Sequence, residues 1–254
     1  MERNDQGRPE HVDVEGCLNV RDAGGWPTDN GRWMRRGLLY RADEPVRLTA
    51  EGRAAIDRLG LRAVIDLRQK AQVDRGHLFA APEITHHIQV VDRVIDVDNP
   101  PSQFDQAVDI VDLYEDMVER GSVQLVRAVD TIAEHIVDGP VLVHCLAGKD
   151  RTGLVNALIQ GALGVTLKSV VEEYALSDDP TRRRRAMMIA DPRAGDPPVH
   201  RSPEMLWTAP AEVMALYTRR IVHRHGSLTA WASGIGVSDA TVQRLRERLI
   251  IDPG

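Results

Sequence analysis

Two side chains of this sequence can do covalent chemistry together. Cys145 and Arg151 stand with five residues between them in the run His144-Cys145-Leu146-Ala147-Gly148-Lys149-Asp150-Arg151-Thr152-Gly153. Thiolate is the reactive form of cysteine, and thiols beside a guanidinium at a helix N-terminus ionise below the ordinary value of about 8.5. Arginine adds a planar, permanently charged fork that takes two phosphate oxygens at once. If the run joins a strand to a helix, the amides of Leu146, Ala147, Gly148, Lys149, Asp150 and Arg151 converge where the helix dipole is positive, which makes an anion cradle. A thiolate held in line with phosphorus can displace an ester oxygen, forming a cysteinyl-phosphate that water then hydrolyses. Charge spread over the equatorial oxygens in the transition state is met by amides and Arg151, so the chemistry needs no metal and no cofactor.

The leaving oxygen needs a proton. Asp150, next to Arg151 in the loop, is the first candidate donor; Asp66, in the strand-end tripeptide Asp66-Leu67-Arg68, is the second. The acids from Asp92 to Asp98 come third. Thr152 is placed to donate its hydroxyl to the cysteine sulfur or to help discharge the intermediate, and His144 to brace the loop. Plainer roles stay open for two of these: Asp150 as a cap of the following helix, and Asp66 with Arg68 as an ion pair beneath the loop. A Walker-type nucleotide loop fails, because Val143 stands where its first glycine belongs and Asp150 follows the lysine.

The elements around the loop fit this use. Pro140-Val141-Leu142-Val143-His144-Cys145 reads as a short buried strand, and the apolar run from Leu154 to Gly164 as the helix after it. Upstream, a hairpin turn is expected near Asp29-Asn30-Gly31, a helix capped by Thr49 and running to Leu59, a strand from Leu61 to Arg68, and another from Ile84 to Val91. Apolar residues recur at helical spacing from Phe104 to Val137, where Gly121 is read as dividing two helices. Beyond Gly164 the chain reads as wholly helical, interrupted by a Pro-rich connector from Asp191 to Pro203. The expectation is an α/β fold, a twisted central sheet flanked by helices, with a loose tail over 1–14 and a single domain over 15–254 whose helical part, 165–254, is a candidate lid.

Composition narrows the partners. The chain has 254 residues, 43% apolar content and a formal charge of −6, enough for a sizeable core and no global basic field for nucleic acid. Cys17 and Cys145 are the two cysteines and lie far apart, which argues against a disulfide framework or a zinc site. No apolar run approaches the roughly 20 residues of a membrane span, and the N-terminus lacks a signal-like stretch, so a cytoplasmic placement is expected, with unconventional export left open. The run Arg182 to Arg185 reads as the solvated face of a helix, with an acidic partner or lipid as the alternative.

The loop His-Cys-x-x-Gly-Lys-Asp-Arg-Thr-Gly resembles the signature loop of the cysteine phosphatases, specifically the bacterial tyrosine and phosphoinositide phosphatases. Asn19 begins NVRDAGG, Gly37 GLLYRAD, Leu48 LTAEG and Val64 VIDLR, all similar to that family's N-terminal half in order; EEYALS and HGSLTAW are similar further on. The resemblance implies a protein tyrosine phosphatase-like fold with dual or triple specificity, and the in-loop Asp150 as acid. It also implies that Lys149 favours multiply phosphorylated lipids. The chain departs from many tyrosine phosphatases in lacking a Trp-Pro-Asp loop, since Thr28 follows Trp26-Pro27. The expected substrate is a phosphotyrosine protein or a phosphoinositide, with a soluble phosphorylated sugar or nucleotide as the alternative, and neither nucleic acid binding nor stable membrane insertion.

Overall fold

The computed structural model describes residues 9, 11–74, 78–90, 104–191 and 202–253. Its main sheet is built from β1 (Arg21–Asp22), β3 (Leu39–Ala42), β4 (Ala63–Asp66), β5 (Thr85–His87) and β6 (Val141–His144), in the order β1-β3-β6-β4-β5. β6 lies at the centre, parallel to β3 and β4, with Ala42 and Asp66 both in register with His144. Only β1 runs antiparallel, against β3. The strand ends at Ala42, Asp66 and His144 therefore share one edge, where the loop of interest begins.

Side-chain alternation along these strands divides the core in two. Leu39, Ala63, Ile65, Val141 and Val143 face α3 (Ala107–His135), α4 (Asp150–Leu163) and the later helices; Tyr40, Ala42, Val64 and Leu142 face Val14, Val20, Phe79 and α1 (Ala50–Asp57). Both faces being covered explains why these strands read as nearly continuous apolar runs. α4 is buried from Arg151 to Leu163, all the way round, as a helix wedged between a sheet and other helices must be. Its Gly161 lets α8 (Leu228–Gly234) approach closely, since a Cβ there would stand 2.7 Å from the Cβ of Leu228. α5 (Leu167–Ala175), α6 (Asp178–Ile189), α7 (Ala211–His225) and α9 (Asp239–Leu249) complete the helical part, and no helix among the described residues is long and apolar enough to cross a membrane.

Several expectations hold at the level of single bonds. Thr49 caps α1, its hydroxyl accepting from the Gly52 amide at 3.1 Å. The turn at 29–31 forms, with the Gly31 amide donating to Thr28 and Pro27 bridging Trp33. Others need correction. α3 runs unbroken through Gly121, because a helical glycine costs only about 1 kcal/mol and the buried stripe of Ile110, Tyr114, Met117, Leu125 and Ile132 continues on either side of it. The segment after Gly164 is not wholly helical: β7 (Ile250–Ile251) pairs antiparallel with β2 (Trp33–Met34). The strand from Ile84 contracts to β5, preceded by a 3-10 turn over Pro82–Ile84. Of the residues read as tail, His11 bridges Arg21 and Val14 is buried, so 11–14 run with β1. The aspartates Asp92, Asp96 and Asp98, and residues 192–201 of the connector, lie outside the described residues.

Candidate active site

The chain leaves β6 at His144, turns through Cys145 to Lys149 and enters α4 at Asp150. Every carbonyl of that turn is held by a donor from the scaffold. The carbonyl of Cys145 meets His144 Nδ1 at 3.2 Å; that of Leu146 takes the Glu44 amide at 3.0 Å; that of Ala147 takes Asn19 Nδ2 at 2.9 Å. The carbonyl of Gly148 accepts from Arg41 Nη2, and that of Lys149 from the Gly153 amide at 2.8 Å. The amides of Leu146, Ala147, Gly148 and Lys149, by contrast, make no hydrogen bond among the described residues. Buried amides are almost always paired, so a turn with all carbonyls tied back and four successive amides left over has the donors that an anion could take up.

Gly148 is required on two counts. Its φ of +65° is left-handed, and a Cβ there would lie 2.4 Å from the carbonyl oxygen of Ala42. The loop rests directly on the end of β3. Beneath it lies a buried charge assembly: Arg41 Nη1 and Arg21 both bind Glu173 of α5, Arg21 Nε at 3.0 Å, and Arg21 reaches Ser177 Oγ at 2.9 Å and the Asn19 side chain. Burial, and then Arg41 close by, pull the Arg21 guanidinium down to about 9.

Arg151 follows the loop in the first turn of α4, buried, with Nη1 donating to the Leu67 carbonyl at 3.1 Å. That carbonyl is itself held in place, because the Leu67 amide donates to His144 at 2.9 Å. Asp66 binds Arg68 through the backbone amide at 3.0 Å and through Nη2 at 2.7 Å, with only 1% of its surface exposed. Burial opposes ionisation of Asp66, but His144 and Arg68 outweigh it and hold the carboxyl below its usual range. A buried carboxylate gripped this way is a poor proton donor and a good strut, which puts Asp66 beneath the loop. His144 stacks edge-on against Phe79 at 5.0 Å, and burial pushes its imidazole down despite Asp66 at 3.7 Å, so it is a neutral ring whose Nδ1–H braces the Cys145 carbonyl.

A cavity of about 160 Å³ opens over the loop. Cys145, Leu146, Ala147, Asp150 and Arg151 form its floor; Leu113 and Met117 of α3, with Leu206 and Trp207 of a 3-10 turn over Glu204–Trp207, form an apolar wall. Gln69, Gln72, Ser202 and Arg184 of α6 complete the rim. The carboxylate of Asp150 accepts from the Tyr114 hydroxyl at 2.6 Å, and Lys149 Nζ stands 3.2 Å from the same oxygen.

Lys149 is engaged by the scaffold, and one expected contact, that of Thr152 with the cysteine sulfur, is not made. The Lys149 side chain is 1% exposed and donates to the carbonyls of Leu206 and Thr208 at 3.1 Å each. Its four-carbon stem reaches those carbonyls, so the lysine ties the 3-10 turn to the loop. Thr152 is wholly buried, and its hydroxyl makes no hydrogen bond among the described residues, to the Cys145 sulfur or any other acceptor.

Residues 12–251 match the tyrosine phosphatase family. The chain belongs to that family. It is 28% identical over 94% of its length, and 98% of the relative's, to the triple specificity protein phosphatase PtpB of Mycobacterium tuberculosis. A tyrosine-protein phosphatase of Nostoc commune is 27% identical over 80% of this chain and 71% of that one. The core catalytic domain of the PP-IP phosphatase SIW14 from S. cerevisiae superposes with a TM-score of 0.36 at 19% identity, over 79% of this chain and 94% of that chain. As a tyrosine phosphatase the chain is a phosphomonoester hydrolase of the cysteine-dependent kind.

Sequence reasoning missed the residues that hold this phosphatase's loop in shape. Asn19, Arg41, Glu173, Tyr114 and Tyr174 come from four different elements or connections, and none is near Cys145 in sequence. One signal was present: an arginine inside the apolar run Leu39-Tyr40-Arg41-Ala42 is wholly buried, and a buried guanidinium needs acceptors. The arginine run at 182–185 also divides. Arg182 and Arg183 pair with Asp178 and Asp179 on an exposed face, while Arg184 turns inward to Glu44 at 2.5 Å.

Proposed function

We propose that the chain hydrolyses phosphotyrosine-like monoesters in two steps through Cys145. The cysteine thiolate forms the Sγ–P bond while the P–O bond breaks with its electrons on the leaving oxygen, which takes a proton from Asp150. Asp150, now a carboxylate, removes a proton from the water that displaces the sulfur and releases phosphate. Arg151 and the amides of Leu146 to Arg151 hold the three equatorial oxygens throughout. His144 and Asp66 carry the frame, and the helical part from 165 onward walls the pocket through Arg184, Leu206 and Trp207.

The observation that carries this reading is that Cys145, Arg151 and Asp150 open into one cavity over a turn whose amides are unpartnered. The apolar wall of Leu113, Met117, Leu206 and Trp207 supports an aryl leaving group over a polar sugar or nucleotide. Phosphoinositides are the second substrate class, supported by the similarity to a phosphatase named for triple specificity. Turnover of an aryl phosphate with a chelator present, abolished by Cys145→Ser, is the expected result; full activity in that variant removes the mechanism. Comparing kcat/KM across phosphotyrosine peptides, phosphoinositides and phosphorylated metabolites then ranks the substrates.

A further inference from the structure

Asp150 sits at the end of a chain of hydroxyls that the reaction as written does not use. Tyr114 of α3 is 0% exposed and donates to Asp150 Oδ1 at 2.6 Å; Tyr174 of α5 lies 2.8 Å from the Tyr114 oxygen. Because the Tyr114 proton is spent on Asp150, Tyr174 is the donor in the second bond. Lys149 Nζ, whose hydrogen bonds go to the carbonyls of Leu206 and Thr208, forms an ion pair with the same Oδ1 at 3.2 Å. The other oxygen, Oδ2, receives no hydrogen bond among the described residues, and Asp150 is a part of the cavity floor beside Cys145 and Arg151.

We propose that Tyr114 is a positioning residue for proton transfer, fixing Asp150 so that Oδ1 is occupied by donors and the transferable proton sits on Oδ2, facing the leaving oxygen. The proposal rests on Asp150 as the acid. A carboxyl whose one oxygen accepts a hydrogen bond and faces an ammonium carries its own proton on the other, and a carboxyl pinned at one end cannot rotate out of line. Burial, and the nearby Asp150, keep the Tyr114 hydroxyl protonated far above its ordinary range, so it stays a donor at any working pH. Its ring is locked edge-on against Tyr174 at 6.2 Å and Tyr217 at 5.7 Å, which holds the hydroxyl without freedom of its own. The charged or titratable groups facing Asp150 are thus Lys149 from the loop, Tyr114 from α3, Tyr174 from α5, and Cys145, Arg151 and Arg184 around the cavity.

The test is Tyr114→Phe, which keeps the ring and removes the donor. With an alkyl phosphate, whose leaving oxygen needs its proton, kcat falls about tenfold, a part of what a general acid contributes. With para-nitrophenyl phosphate, which leaves without help, kcat changes less than about twofold. The alkaline limb of the kcat profile, which reports the acid in its protonated form, moves to higher pH because a donor to the carboxylate form is gone. An equal loss on both substrates with an unmoved limb marks Tyr114 as structural only and overturns the proposal. Asp150→Asn is run alongside. If that variant shows no preference for good leaving groups, the acid assignment itself fails. If it does and Tyr114→Phe does not, only the positioning role falls. Should Tyr114→Phe not fold, Tyr174→Phe, which removes only the outer donor, gives the same pattern at smaller size, and equal kcat changes on both esters with an unmoved limb overturn the proposal.

Discussion

Arg41, buried in β3, donates to the carbonyl of Gly148, the residue around which the phosphate loop bends. The same guanidinium grips Glu173, and Arg21 grips Glu173 from the other side. The loop is therefore shaped from below: its carbonyls are pulled onto the scaffold by Arg41, Asn19, Glu44 and His144, and its amides are left without partners among the described residues, open to the proposed phosphate. Electrostatic stabilisation of a transition state works when the donors are already in place, since no reorganisation is then needed during reaction.

Gly148→Ala tests how tightly that shape is set. The substitution puts a Cβ 2.4 Å from the Ala42 carbonyl oxygen, against backbone that cannot swing aside, and at a φ that favours glycine. The loop must move, and a displacement near 1 Å at a reacting centre costs on the order of a hundredfold in rate. We expect kcat on an aryl phosphate to fall by about that factor while the variant still melts cooperatively; a kcat within twofold of the parent shows the loop to be more tolerant than its packing suggests.

Glu173→Gln separates buried from exposed charge. It leaves Arg21 and Arg41, each under 4% exposed, facing a neutral amide, and breaking a buried pair from one side costs about 3–5 kcal/mol. Arg220 on α7 also makes a short bond to Asp112, at 2.6 Å, but at the surface, where such a pair contributes about 0–1 kcal/mol. Urea titrations of Glu173→Gln and Arg220→Ala are expected to differ by several kcal/mol in that order. Similar midpoints for the two variants contradict the assignment of Glu173 as the keystone.

His144 gives the fold a pH dependence of definite sign. Burial holds its imidazole below the ordinary 6.5, so the unfolded chain takes up a proton before the folded one does. Its contribution is complete above 6.5 and declines as pH falls beneath it. Asp66, held below 3.8, adds a second decline at lower pH, as it is protonated. Denaturant midpoints at pH 7.5, 6.5 and 5.5 (roughly spanning the first window) should fall for the parent, by on the order of 1 kcal/mol, and stay level for His144→Asn. Parallel curves for both proteins refute this role.

What the sequence shows and what it hides follow from distance along the chain. Cys145, Gly148, Asp150 and Arg151 lie within seven residues of one another, and a strand, a tight turn and a helix are local events, so the proposed nucleophile and the turn around it can be read directly. Thr49 as a cap and the turn at Gly31 are legible for the same reason. The supports are not, because Asn19 meets Ala147 across 128 residues and Arg41 meets Glu173 across 132. Local punctuation also misleads: Gly121 looks like a break, yet the packing of α3 along the sheet and α7 outweighs one glycine. Lys149 shows the limit of motif reading, since nothing in the loop announces that its ammonium goes to the carbonyls of Leu206 and Thr208.

The two cysteines offer a direct measure of the loop's field. Both cysteines are buried, and at Cys17 burial, then the neighbouring Asp43, push the thiol far up, so it is un-ionised at neutral pH. Cys145 lies on the floor of the cavity with unpartnered amides and Arg151 around it, and cysteines in electropositive clefts are the reactive ones. Iodoacetamide at pH 7 should therefore label Cys145 at least about a hundredfold faster than Cys17, as peptide mapping by mass spectrometry would show. Inorganic phosphate occupies the same amides and Arg151 and should slow Cys145 alone, whereas denaturant should bring both cysteines to one rate. Equal labelling of the native protein, or no protection by phosphate, means that the loop neither ionises its sulfur nor holds an anion over it.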